Sequence, residues 1–263
     1  NNFQLRQADR NLKAILRGLD VKSDITGATA RGWIQVSVSG EDEKVALRYL
    51  MDRIGFCPIE LEKAIKFSTF KGFLRDSSQD KSEISVDIGV VIPETIDAKI
   101  PLNRLQAQLG DGRKIALAKL VELFGLRENV PLDIRVTNVD VQSKYVEAEL
   151  SDKQLEQFSN WTRAMLDRLL IVGASYHELR SAMRESQIER DTVGIEPLGM
   201  FEYAIACKLG TDAAGLIPKI GKRLERAVFT VFNPRNIVKL IGFDAPITSD
   251  GYRPNSFKQN SID

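Results

Sequence analysis

The sequence predicts an α+β protein in which two small helix-and-strand layers flank a strand-rich middle. Three observations carry this. Helical and strand periodicities mix over the first 70 residues and again after residue 151. The segment between them shows short runs of strict apolar/polar alternation bounded by turn residues. The chain has 263 residues, enough for two to three domains of roughly 100 to 150 residues each.

In the first layer Ala8 to Leu19 is helical in period, Val21 to Ala30 is ambiguous, and Trp33, Ile34, Val36 and Val38 mark a strand. Gly40-Glu41-Asp42-Glu43 puts acids at a helix N-terminus, where the macrodipole favours them. Val45, Ala46, Leu50, Met51 and Ile54 form that helix's apolar stripe, and Gly55 ends it. Helix–strand–strand–helix is the order of a ferredoxin-like layer whose first strand would lie ahead of Asn1.

Ile59 to Phe67 reads as a short amphipathic helix and Asp76 to Asp80 as a polar turn. Ile84, Val86, Ile88 and Val90 then alternate with Ser85, Asp87 and Gly89, the pattern of a half-buried strand. Leu132, Ile134 and Val136 repeat it, Val139 and Val141 extend it, and Tyr145 to Leu150 supplies another strand. Leu102 to Leu126 is helical between them, broken at Gly110-Asp111-Gly112.

Ser151-Asp152-Lys153-Gln154 has the form of a capping box opening a long helix through Trp161, Met165, Leu169 and Val172 to Gly173. Ser175-Tyr176-His177-Glu178 opens another, to about Gln187. Val193 to Leu209 reads as two strands or one bent strand, Thr211-Asp212 caps a helix to about Leu224, and Ala227 to Phe232 is a strand. The boundaries that follow are an N-terminal α+β domain over 1–70, a strand-rich domain with a helical insertion over 71–150, a C-terminal α+β domain over 151–246, and a flexible tail over 247–263.

Composition narrows the chemistry. Lysine and arginine number 37 against 36 acids, a net charge of +1, so bulk electrostatics does not drive nucleic-acid binding. Cys57, Cys207 and the single His177 cannot build a disulfide scaffold or a four-ligand zinc site and leave little for triad chemistry. We therefore expect no catalytic residue, metal or cofactor, with His177 on a helix surface and both thiols buried and inert. Asp87, Asp97, Asp133 and Asp140 are spread over strands and turns with no spacing that converges them on a cation, and Trp33 and Trp161 read as core anchors. Charge-free runs reach only about nine residues against the about 20 a membrane span needs, so no transmembrane helix is expected, and the two isolated cysteines suit the cytoplasm.

Resolved by segment, the charge is uneven. From Leu216 to Lys239, Lys219, Lys222, Arg223, Arg226, Arg235 and Lys239 face Glu225 alone, a net +5. Lys219, Lys222, Arg223 and Arg226 have the i, i+3, i+4, i+7 spacing of one helix face, which tracks phosphates or is simply solvated. From Lys99 to Lys119, Lys99, Arg104, Arg113, Lys114 and Lys119 face Asp111 alone, a net +4. The Gly110 to Lys114 stretch is an anion-holding turn or a plain one. Gly210 and Gly215 have the spacing that begins a phosphate loop, but Leu216 stands where a lysine is required, so no such loop forms.

Gly72-Phe73-Leu74-Arg75, Val86 to Val90, Asp97-Ala98-Lys99-Ile100-Pro101, Asp133 to Asp140 and Val146 to Ser151 follow one another in an order that resembles the "S-one" type OB domain of ribosomal and RNA-decay proteins, over about 80 residues. The whole chain, including Cys207 to Pro218, also resembles an archaeal, methanogen-type family of unknown function. The first resemblance implies that the middle segment is a five-stranded OB-like β-barrel, so the expected architecture is α+β, with that central barrel flanked by the two small ferredoxin-like domains read from the element order. It also implies single-stranded nucleic-acid binding on the open barrel face. The sequence departs from it in having no aromatic on Ile84 to Val90 and a helical insertion of about 25 residues after Pro101. The expected function is non-enzymatic RNA association, docking on structured RNA or a ribonucleoprotein in translation or RNA metabolism. Its candidate contacts are Lys71, Arg75, Arg104, Arg113, Lys114, Lys219, Lys222, Arg223, Arg226 and Arg235. One alternative is an adaptor whose barrel binds a protein; a metal-dependent hydrolase or nuclease ranks third. The sequence does not fix the oligomeric state.

Overall fold

Helix α1 (Asn2–Ile15) and helix α2 (Glu43–Arg53) pack on a hairpin of β1 (Val21–Ala28) and β2 (Ile34–Gly40) around Leu12, Leu16, Ala46 and Leu50. Val21 to Ala28, ambiguous by pattern, is a strand because β2 pairs with it from Val21↔Gly40 to Ala28↔Ile34, with a bulge between Ile25 and Gly27. A computed structural model describes residues 2–29, 31–75 and 81–242. The expected polar turn at 76–80 and the tail at 247–263 lie outside them.

The expected helix over Ile59 to Phe67 is only a 3₁₀ turn, Leu61–Lys63. Ile59 and Phe67 sit at φ 59° and 70°, outside helical space, and the Ile59 carbonyl accepts the Val91 and Ile92 amides. Backbone pairing with the next domain wins over the local apolar period.

That domain is a closed barrel of β3 (Thr69–Leu74), β4 (Glu83–Val90), β5 (Ile96–Pro101), β6 (Pro131–Asp140) and β7 (Tyr145–Leu150), in the order β3-β4-β5-β7-β6. Every described pairing is antiparallel except β5 with β7, which gives the five-stranded OB-type circuit. The insertion between β5 and β6 is α3 (Leu102–Leu109) and α4 (Leu117–Phe124), broken as expected at Gly110 to Gly112. Gly72 is required where β3 crosses β4: a Cβ there would lie 2.5 Å from Val86 Cγ1 and 2.7 Å from the Asp87 carbonyl. β4 departs from half-burial, because Asp87 and Gly89, on its outward face, are buried as well.

After the barrel come α5 (Asp152–Ala164), β8 (Arg168–Val172), α6 (Tyr176–Glu185), β9 (Thr192–Pro197), β10 (Glu202–Cys207), α7 (Ile217–Ile220), β11 (Val228–Phe232) and α8 (Pro234–Ile241). The strands form one antiparallel sheet in the order β11-β8-β10-β9, the ferredoxin-like arrangement. Three expectations change here. The long helix to Val172 stops at Met165, which adopts the left-handed conformation, and Arg168–Val172 is the fully buried strand β8, since a continuous apolar run fits a central strand as well as a helix. At Ser151 only half the capping box forms: Ser151 accepts the Gln154 amide, while the Gln154 side chain is taken by the Asp133 amide. The helix expected to Leu224 is a 3₁₀ turn and the single turn α7, because Gly215, Pro218 and Gly221 weaken it. The capping box at Ser175 and Glu178 is complete.

One core runs from the barrel interior through α4, α5 and α8 onto a face of the C-terminal sheet, ending in Leu170, Ala204, Phe232, Ile237 and Ile241. Trp161, a core anchor as expected, sits there with Phe158 and Phe232. The other face of the sheet packs Leu169, Ile171, Ile205 and Cys207 against α6 and the 213–224 turn. The N-terminal layer keeps a small core of its own.

Candidate nucleic-acid interface

An OB barrel presents its ligand face on its second and third strands, here β4 and β5. That face is covered by the protein's own β1–β2 hairpin. Trp33 Nε1 donates to Asp87 Oδ1 at 3.1 Å, and its ring meets Phe73 edge-on at 5.3 Å. Arg31 pairs with Asp97 and, at 3.5 Å, with Asp87 Oδ2. Gly89 lies beneath Cys57 and the indole, where a Cβ would come 2.3 Å from Cys57 Cβ and 3.1 Å from Trp33 Cε2. Trp33 is thus a contact between domains and not a core anchor. Asp87 and Asp97 do converge, on a guanidinium. Asp133 instead pairs with Lys153, and Asp140 accepts the Gln142 and Ser143 amides.

The ten candidate basic residues separate into groups. Lys71 is turned inward: its ammonium donates to the Leu198 carbonyl at 2.8 Å, and burial pushes its pKa down, opposed by Asp133. Arg75 faces Glu128 at 3.8 Å, and Arg104 lies at 3.8 Å from both Glu147 and Glu149. Lys219 pairs with Asp191, at the end of the 3₁₀ turn Ile188–Asp191, and Arg223 with Glu185, at the end of α6. With α7 one turn long, Lys219, Lys222, Arg223 and Arg226 do not share a regular helix face; that expectation is corrected by the glycines that end the helix.

The fold does bring parts of the two basic stretches together. Arg113, beyond the α3 break, donates from Nη1 to the Leu240 carbonyl at 2.6 Å, a cation at the C-terminal end of α8. Lys114 is beside it, and Arg235 and Lys239 are exposed one turn apart on α8. Among the described residues Lys114, Lys222, Arg226, Arg235 and Lys239 form no ion pair. Arg235 acts electrostatically on Asp167, whose carboxyl burial pushes up from its usual range.

A cleft of about 830 Å³ opens where the three parts meet, lined by α1 and the end of α2, by β3 and β6, and by α5 and the β9–β10 turn. That turn is fixed from three sides: Lys71 holds the Leu198 carbonyl, Asn11 Nδ2 holds the Met200 carbonyl at 3.3 Å, and Glu202 Oε2 accepts the Phe201 amide at 3.1 Å. Burial pushes Glu202 up to about 7, partly offset by that amide and by Lys71. On the cleft wall Arg168 stacks 4.9 Å from the Trp161 ring and pairs with Glu196 at 3.2 Å. Sequence reasoning missed Arg31, Arg168 and Glu202. The signal for the last two was a charged residue opening an apolar strand. Burial pushes the Cys57 thiol up and holds Cys207 at about 11, so neither is poised as a nucleophile. Among the described residues no three His, Cys, Asp or Glu side chains group as metal ligands, and no helix is long and apolar enough to cross a membrane.

Comparison with known proteins places these observations. No curated protein matches the chain in sequence. In structure it is similar to the intact alpha subunit of aIF2 from Pyrococcus abyssi, at 9% identity and a TM-score of 0.24, over 64% of this chain and 96% of that one. Family models match three consecutive segments: the DUF2110 N-terminal domain over residues 2–57, the central domain over 67–162 and the C-terminal domain over 166–232. The chain belongs to the DUF2110 family.

Proposed function

We propose that the protein is a non-enzymatic, RNA-associated factor that docks on structured RNA or a ribonucleoprotein in the cytoplasm, in translation or RNA metabolism, through the basic edge around α8. The observation that carries this reading is the bond from Arg113 to the Leu240 carbonyl. It joins two stretches distant in sequence into one surface with Lys114, Arg235 and Lys239, which form no ion pair among the described residues. Unpaired cations at that spacing suit phosphate oxygens, which position a protein on RNA without reading sequence. The resemblance of the middle segment to the "S-one" type OB domain supports association with RNA. The contact surface, however, is placed on the basic edge, because the strand face usual for such barrels carries Trp33 and Arg31.

The test is affinity for a labelled, structured RNA at low salt, in the parent chain and in a Lys114→Glu, Arg235→Glu, Lys239→Glu variant whose melting curve matches the parent's. The expected result is binding by the parent and a loss of about tenfold or more in the variant. Equal affinities would refute the assignment.

A further inference from the structure

The β4–β5 face is built for a ligand quite unlike a nucleic acid. With Arg31 and Trp33 seated on it, the face keeps side-chain exposures of 4% for Asp87 and 18% for Asp97. Asp87 is held in place by the Gly89 amide, which donates to Oδ1 at 2.9 Å. Phosphate groups would meet these carboxylates as like charges. What the face accepts is an arginine and a tryptophan two residues apart. The guanidinium goes between the carboxylates, the indole N–H to Asp87, and the ring over Gly89 and against the edge of Phe73.

Elsewhere the cover is held to the barrel by Cys57, which packs on Gly89, and by the Ile59 carbonyl, which accepts the Val91 and Ile92 amides. Among the described residues its sheet has two strands, and a two-stranded hairpin is marginally stable by itself. Its core is separate from that of the barrel. Besides the hairpin contact, α1 reaches the C-terminal domain through two long side-chain bonds, Asn11 to the Met200 carbonyl at 3.3 Å and Gln7 to Ser175 Oγ at 3.2 Å, and the cleft opens between them.

We propose that the β4–β5 face is a peptide-recognition surface for a segment carrying arginine and tryptophan two positions apart, filled in cis by Arg31 and Trp33 and open to a partner protein bearing the same chemistry when the N-terminal layer lifts. The proposal is independent of the basic edge at α8, which lies on other elements.

The test uses the full chain and a fluorescein-labelled peptide of residues 27–37, followed by anisotropy. In the parent the tethered segment competes at high effective concentration. An Arg31→Ala, Trp33→Ala variant is therefore expected to bind the peptide about tenfold or more tightly than the parent. Adding Asp97→Lys to that variant is expected to reverse the gain, because a carboxylate that pairs with the peptide's guanidinium is replaced by a like charge. Arg31→Ala alone, which leaves the indole seated, is the second arm and is expected to give a smaller gain. The proposal is overturned if neither opened variant gains affinity for the peptide, if Asp97→Lys leaves the gain intact, or if a single-stranded oligonucleotide gains affinity in its place.

Discussion

Glu202 gives the sharpest consequence of the junction between the three parts. Its side chain is buried, and its carboxyl titrates at about 7 in the fold against 4.5 when exposed. Between those two values the folded chain holds a proton that the unfolded chain has released. The stabilisation is therefore complete below 4.5, declines as pH rises through the interval, and is gone above about 7. At about 1.4 kcal/mol per pH unit, the decline from this one group is about 3 kcal/mol. Glu202→Gln keeps the shape and an acceptor for the Phe201 amide but cannot ionise, so its stability should fall by about 3 kcal/mol less than the parent's over the same range. The assay is urea unfolding followed by tryptophan fluorescence at several pH values from about 4.5 to about 8, comparing unfolding free energies of parent and variant. Asp167, also pushed up by burial, tilts both curves alike, so the difference between them isolates Glu202. If stability of the variant falls with pH as steeply as that of the parent, Glu202 is not a buried neutral acid and the account of the junction is wrong.

Two further outcomes follow from packing. Gly72→Ala drives a methyl group against Val86 Cγ1 and the Asp87 carbonyl, and the latter is strand backbone that cannot step aside; we expect a loss of about 1–3 kcal/mol in urea unfolding, and an unchanged midpoint would show the crossing of β3 and β4 to be looser than described. Phe232 is wholly buried, with ring centroids 5.1 Å from Trp161, 5.7 Å from Phe158 and 5.8 Å from Phe124; Phe232→Ala should cost about 3–5 kcal/mol, and a loss under about 1 kcal/mol would contradict a core shared by barrel and sheet.

Much of the fold was legible because its barrel strands alternate and α5, α6 and α8 carry side-chain N-caps. Ile84 to Val90, Leu132 to Val136 and the box at Ser175 say locally what they become. Where reading failed, the deciding partner lay elsewhere in the chain. Leu169 to Val172 is apolar throughout, and only pairing with β10 and β11 makes it a strand. Ile59 to Phe67 has a helical period, but its backbone is drawn to Val91 and Ile92. The candidate interface was legible in parts only: the two basic stretches were plain in the sequence, whereas the contact between Arg113 and α8 depends on how the insertion folds over the C-terminal domain. The burial of Asp87 and Gly89 was hidden for the same reason, since the residues covering them, Arg31, Trp33 and Cys57, belong to the preceding domain.

The salt dependence of RNA affinity tests the central claim most directly. If Arg113, Lys114, Arg235 and Lys239 each neutralise a phosphate on helical RNA, the logarithm of affinity should fall with the logarithm of salt concentration at a slope of about −3 to −4. The Lys114→Glu, Arg235→Glu, Lys239→Glu variant should flatten that slope to about −1 or abolish binding altogether. A parent slope near zero, or a variant as steep as the parent, would contradict docking through the α8 edge.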